Sequence, residues 1–410
     1  MSRSFAFAFL LLGAVAAGAC DSAGSRAGAK VVRDTLPNGA VRLRYASLAP
    51  PAAEPLAFDL RIGTLDGDPN ETFGDVRSIE ADDDGTIYVL DHQASEVRVF
   101  DADGRFLRTL TRKGQGPGEL AAANGMILAR DRTLWIQDHG QWRMIGVNLA
   151  GEEVARFPMH VLSYGYVWNG TLDDRGRFWK PVTHSDAPPV FPPEPGLNER
   201  SARAYLKWFD PATETTDSVF LGEVTHRFHV TRIGGGWMNR GIPFSPQPMT
   251  LVDPGGGFWT TSGETYRIAR LDERGDTLLV LEVAEAPAPV TSEDRQRFID
   301  EIVERSPDQR RAAEELAGLA PETKPIVDQL NLDDVGRLWV RRHAAEDENP
   351  LYDLFSRDGE YLGSVRLGFR PARHLPPRIR DGKLYALATD DLGVHTVVRA
   401  NLPSLPGTDR

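Results

Sequence analysis

Apolar positions in this chain recur mostly every second residue, in short runs closed by polar or glycine-containing turns. In Glu96-Val97-Arg98-Val99 the valines share one face of an extended strand and the charged residues the other. Such runs fill most of the sequence and predict β-strands joined by tight turns. Three stretches break the pattern. Phe5 to about Ala17 is continuously apolar. Ala187 to Gly196 carries five prolines. Arg295 to Val303 places Phe298, Ile299, Ile302 and Val303 at helical spacing, which predicts an amphipathic helix capped by Ser292.

One phrase recurs: a turn with Asp and usually Gly, then an apolar residue, then Tyr or Trp. It occurs at Asp82–Val89, Arg130–Ile136, Asp173–Trp179, Asp253–Trp259, Asp333–Val340 and Arg380–Ala386. The aromatics are Tyr88, Trp135, Trp179, Trp259, Trp339 and Tyr385, spaced by 47, 44, 80, 80 and 46 residues. The shorter spacings fit one four-stranded propeller blade of about 40–50 residues. The longer two fit a blade plus an insertion. Six copies predict an all-β, six-bladed β-propeller, with the aromatic filling the wedge between twisted sheets. A second phrase, Val99–Leu107 with echoes at Leu271–Asp276 and Leu354–Leu362, reads as the hairpin between the outer strands.

The last copy has no outer hairpin. An N-terminal strand, Val41–Tyr45 or Phe58–Ile62, is expected to complete that blade and join the chain ends. The first insertion, about 184–204, reads as a Pro-rich, extended, non-helical loop. The second, about 290–320, reads as two helices. The later one starts at Ser306-Pro307, has Gln309 as its third residue and ends near Gly318. This pair is expected to form a flap that serves either as a lid or as decoration.

The stretch from Ile79 to Leu120, with Tyr88-Val89-Leu90-Asp91 and Arg98-Val99-Phe100-Asp101, resembles an NHL-type repeat. Gly114-Gln115-Gly116-Pro117-Gly118-Glu119-Leu120 is similar to a linker common in six-bladed propeller lipoproteins of bacteria. The resemblance spans about residues 56–402. It implies the propeller fold and a bacterial source but no particular activity, since one fold hosts unrelated functions.

The N-terminal apolar run is too short to span a bilayer, which needs about 20 residues. Behind Arg3 and ahead of Ala17-Gly18-Ala19 it reads as a signal peptide over residues 1–19. The only cysteine, Cys20, follows it. This resembles the bacterial lipobox, with Ala17 where Leu is usual, and implies cleavage before Cys20 and lipid on its thiol. Residues 20–50 then hold the lipidated Cys, a small polar tether and the possible closing strand. Residues 51–403 hold the propeller and 404–410 a tail. The expected location is the cell envelope, outside the cytoplasm.

Only then does composition add anything. Aspartate and glutamate number 59 against 47 Lys+Arg, a net charge of −12, which argues against a nucleic-acid partner. A lone cysteine allows no internal disulfide and no Cys-rich zinc site.

No Gly-x-Ser-x-Gly, His-Glu-x-x-His or Walker sequence occurs. Gly114-x-Gly116-x-Gly118 lacks the Lys-Ser/Thr of a phosphate loop and reads as an inter-blade turn. Repeat geometry supplies two other sets. Four residues past the aromatic stand His92, His139 and His343, with His184 one residue later in its blade. They are metal-ligand candidates, or they close turns beside Asp91 and Asp138. Eleven residues before the aromatic stand Arg77, Asn124, Trp168, Pro248, Asp328 and His374, a ring at the entry of the innermost strands. Arg77 suits an anion, Asp328 a cation and Trp168 stacking. His226 and His229 fall on opposite strand faces.

The sequence requires no cofactor and identifies none. The leading expectation is a non-enzymatic, membrane-anchored module for a small ligand or protein. Alternatives are a metal-assisted hydrolase or lyase using the histidines with Asp91, Asp138 and Asp328, and a structural envelope component.

Overall fold

A computed structural model describes residues 30–51, 54–158, 170–186, 193–233, 235–344, 348–389 and 394–403. Six separate sheets account for all its strands, and they are the blades of a six-bladed β-propeller. Blade I is built from Val76–Ala81, Ile87–Asp91, Glu96–Phe100 and Phe106–Thr111. Blade II uses Ala123–Leu128, Leu134–Asp138, Arg143–Val147 and Glu153–Pro158. Blade V uses Val327–Leu332, Leu338–Arg342, Leu351–Phe355 and Tyr361–Arg366. All three are plain antiparallel meanders.

The recurring Asp turn is held together by one carboxylate. Asp333 Oδ1 accepts from the backbone N–H of Val335 (3.2 Å) and Arg337 (2.8 Å). Its Oδ2 accepts from Arg337 Nε (2.6 Å) and Trp339 Nε1 (3.0 Å). Asp173 repeats this with Arg177 and Trp179. Asp82 does so with Thr86 N–H and the Tyr88 hydroxyl. The aromatic therefore fills the wedge between sheets and also ties its polar head to the turn. Gly85, Gly176 and Gly336 sit at φ of 80–81°, which the turn requires. Blade II has Arg132 there, at φ 66°, and Trp135 is only half-buried. Its sequence signal is correspondingly the loosest.

Ring closure uses the second of the two candidate strands. In blade VI, Leu60–Ile62 pairs antiparallel with His395–Asn401, outside Lys383–Thr389 and Arg378–Arg380. Asp59 locks it through Arg399 at 2.6 Å. Val41–Tyr45 instead runs parallel to Thr277–Val283 of blade IV, whose other strands are Met249–Val252, Phe258–Thr261 and Arg267–Leu271. Val31–Thr35 folds over it. Tyr45 explains the choice. Its ring packs against Phe355 and Tyr361, while its hydroxyl donates to Gly359 O (2.8 Å) and accepts from Tyr361 N–H (3.0 Å). Val31–Thr35, within the stretch expected to hold the tether and closing strand, is thus already part of blade IV.

Both insertions take shape. Blade III comprises Thr171–Leu172, Phe178–His184, Gly196–Asp210, Thr215–Ile233 and Gly236–Gly241. Residues 196–204, expected as loop, are strand, because the prolines stop at Pro195 and a ladder with one bulge at Ala204/Tyr205 runs from Gly196–Val230 to Asp210–Thr215. Much of the additional length is a long β-arm. Residues 187–192, the heart of the Pro-rich segment, lie outside the described residues.

The second insertion is helical: α1 at Ser292–Arg305 and α2 at Arg310–Gly318. The α1 cap is Thr291 rather than Ser292, because Asp294 stands three residues after Thr291 and completes a capping box. Pro307–Gln309 forms a 3-10 turn ahead of α2. The expected stripe of Phe298, Ile299, Ile302 and Val303 packs on Ala313 and Ala317. Among the described residues, no helix is long and apolar enough to cross a membrane.

Replacing Asp333 by Ala should destabilise the protein by about 3–5 kcal/mol, because it strands the buried Arg337 and the Trp339 N–H. Asp101→Ala, at an exposed outer hairpin, should cost only about 1 kcal/mol. Urea unfolding followed by tryptophan fluorescence checks both.

Candidate functional site

In a four-stranded meander the turns after the first and third strands share one face. The turn after the second strand and the link to the next blade share the other. This second face, the link face, therefore collects both residue sets singled out above. It also carries the β-arm and the helical flap. The flap meets the arm where His229 Nε2 lies 3.3 Å from Glu315 and Arg240 donates to Gln309. His226 stays exposed, on the opposite side of its strand.

The ring residues are placed by bulges. The first strands of blades I, II and V each slip register by one residue, between Val76 and Ser78, Ala123 and Gly125, and Val327 and Gln329. The residues left outside the ladder are Arg77, Asn124 and Asp328. A bulge takes one residue out of the pleat and re-aims its side chain. Here the same device acts at the same ring position three times.

Arg77 and Asn124 meet. Arg77 Nη1 donates to Asn124 Oδ1 at 2.7 Å, while Nε and Nη2 donate to Asp75 Oδ2 at 3.0 and 2.8 Å. Asn124 is fully buried and its Nδ2 has no partner. Gln137, opposite Gly125 in the same sheet, is also fully buried with both side-chain polar atoms unpartnered. His92 and His139 stack with ring centroids 5.8 Å apart. His92 Nδ1 bonds Ala123 O at 2.8 Å, and His139 Nδ1 has no partner. Burial, then the neighbouring His92, holds His139 below the usual imidazole value. His374 is lowered by partial burial of its ring and then by His395, although one edge of the residue is open to solvent. His374 and His395 both interact electrostatically with Asp75. Blades I, II and VI thus bring four imidazoles around one Arg–Asp–Asn core.

The turn-closing reading of the aspartates holds. Asp91 accepts from the N–H groups of Gly74, Asp75, Gln93 and Ala94. Asp138 accepts from Ala121 and Ala122. Neither carboxylate is available to a metal in the way the enzymatic alternative required.

Asp328 and His343 form a separate group in blade V. Asp328 pairs with Arg341 at 2.5 Å and lies 3.6 Å from His343 Nδ1. Burial opposes ionisation of Asp328, yet hydrogen bonds from His343 and Arg341 hold its carboxyl below the usual range. His343 therefore does not complete a triad with His92 and His139. His184 is exposed beside Asp186. Among the described residues, no group of three or more His, Cys, Asp or Glu can hold a metal ion. Trp168 and Cys20 lie outside the described residues.

Asp75 and His395 are members of the cluster that sequence reasoning missed, and Gln137 is a buried polar residue of the adjoining strand that it also missed. His395 begins the third strand of blade VI, so its place on the link face was readable from topology. Asp75 and Gln137 carried no signal beyond their proximity to the ring and histidine positions.

A family profile described as a six-bladed β-propeller, DUF5128, matches residues 64–168. No curated protein matches. Among solved structures, a Bacteroides fragilis protein described as exported is similar at 11% identity, with 88% of this chain and 99% of that chain covered and a TM-score of 0.46. A DUF4221 member from Bacteroides vulgatus is similar at 10% identity, covering 84% and 97%, with a TM-score of 0.47. Virginiamycin B lyase from Staphylococcus aureus, bound to quinupristin, is similar at 10% identity, covering 83% and 87%, with a TM-score of 0.37. At these identities the likeness concerns the fold alone.

The lowered histidines make stability depend on pH. The unfolded chain binds protons near pH 6.5, before His139 and His374 do in the folded state, so stability falls as pH drops through that value. Urea unfolding at pH 7.5 and 5.0 should show that loss, and His139→Gln with His374→Gln should make it smaller.

Proposed function

We propose that this protein is a lipid-anchored, extracytoplasmic binding module that holds a polar ligand at the Arg77 side of its channel mouth and performs no catalysis. The observation that carries this reading is the contrast in hydrogen bonding. Turn carboxylates such as Asp91, Asp138 and Asp333 have their acceptors filled by named donors. Beside them, bulged Asn124 and neighbouring Gln137 keep buried polar atoms unpartnered. Leaving such an atom unpaired costs about 1–3 kcal/mol, so a polar ligand that reached Asn124 Nδ2 would be held there.

Support also comes from the wall around the mouth. The β-arm and flap rise from the same face and are bonded to each other, so that face is a shaped surface rather than a flat disk. NHL-type repeats, as the sequence resemblance has it, suit a scaffold role. The anchor rests on Cys20 and its position behind the apolar leader.

Two measurements test this. Native mass spectrometry of the full chain extracted in mild detergent should find a small molecule bound to the wild type and missing from Arg77→Gln. Absence from both, with no small molecule in a broad screen raising the Tm of the wild type, would overturn the binding reading. Cys20→Ser should move the protein from the membrane fraction to the soluble fraction; an unchanged distribution would sink the anchor.

A further inference from the structure

Arg77 and Asn124 are bonded to each other on the link face, with the stacked His92 and His139 and the pair His374 and His395 near them, and what they leave unused is mainly donor capacity. Arg77 spends Nε, one N–H of Nη2 and one of Nη1 on Asp75 and Asn124. A guanidinium carries a second N–H on each Nη. Asn124 Nδ2 is a donor only, and it is fully buried. His139 Nδ1 and His395 Nδ1 are buried and unpartnered, and each donates in one tautomer. Several acceptors nearby are taken, although Asp75 Oδ1 accepts from none of these donors. Asp75 Oδ2 holds Arg77, and Asp138 takes the N–H groups of Ala121 and Ala122 and lies 3.3 Å from Arg143 Nε.

We propose, resting on the binding reading above, that the ligand of this site is a compact oxyanion, seated against Arg77 and Asn124 with the histidines of blades I, II and VI around it. An oxyanion is purely an acceptor, so it satisfies a donor-rich pocket that a hydroxyl or a cation would leave half-bonded. Asp75 does not oppose this. By gripping Nε and Nη2 it fixes the guanidinium plane, and it leaves the Nη1 side turned toward Asn124. Two sources share the chemistry: the carboxylate of an organic acid, and a sulfate or phosphate group.

The test uses the full chain with 13C-labelled acetate and reads the broadening of its resonance, with inorganic sulfate and phosphate as competitors. Wild type should broaden the line. Arg77→Gln and Asn124→Asp should each weaken binding at least tenfold. Asn124→Asp keeps an oxygen for Arg77 to donate to and replaces the free donor with a negative charge, so it reports on the pocket even if Arg77→Gln disturbs folding. Arg227→Gln, on the arm beside Glu199, should bind as wild type does. Preferential displacement by sulfate or phosphate would assign the inorganic type of group, and weak displacement a carboxylate. Equal broadening by all variants would place acetate elsewhere and overturn the proposal. So would no broadening alongside a neutral or cationic molecule in the native mass spectrum that is lost in Arg77→Gln; the binding reading would then stand. No ligand in either experiment would remove both.

Discussion

A buried carboxylate in four of the six blades organises this molecule: Asp82, Asp173, Asp253 and Asp333, each just after the first strand. It accepts from N–H groups of the tight turn and, in blades III and V, also holds an arginine and the indole of the aromatic six residues later. Turn and wedge are therefore a single unit. Packing alone can hold the aromatic, since Trp259 stays fully buried although its indole N–H has no partner, while the carboxylate pairs the turn's backbone donors. Where blade II loosens the motif, the turn adopts a left-handed Arg132 and the aromatic becomes partly exposed.

Closure depends on a second set of long-range contacts. Only a short strand, Leu60–Ile62, completes blade VI, and it is reinforced by the Asp59–Arg399 pair. The hairpin ahead of it is spent on blade IV, where Tyr45 bridges to the outer turn of blade V. The N-terminal segment thus clamps two neighbouring blades as well as joining the chain ends. Blade V adds a buried network of its own, in which Asp353 accepts from Tyr266 and pairs with Arg342. The charged side of the ring at Asp328 is rigid for the same reason that it is unavailable: its partners already surround it.

The chemistry gathers on the opposite side of the mouth. Bulges in three inner strands lift one residue each out of the pleat, and in blades I and II the lifted residues bond to one another. The histidines that follow the second strands come in beside them. Glu80 and Arg378, 3.0 Å apart farther along the inner strands, form a separate pair; burial pushes the Glu80 carboxyl up against the pull of Arg378 and Arg380. A polar site is therefore set above an apolar body without breaking the packing of the blades.

The sequence by itself determined the number of blades, the turns and aromatics that define them, the helical insertion and the face on which His92, His139, Arg77 and Asn124 meet. Those follow from local periodicity and from repeat spacing, which equivalent strands must obey. It also set Arg77, Asn124 and Asp328 at equivalent places in three blades, because position within a repeat fixes height along the axis. Only the tertiary structure decided which N-terminal strand closes the ring, that residues 196–204 join a long β-arm, and that His343 pairs with Asp328 instead of joining His92 and His139. Each of these depends on a partner far away in the chain, such as Tyr361 for Tyr45 or Val230 for Gly196, or on a one-residue slip between two strands. Local pattern carries no term for either.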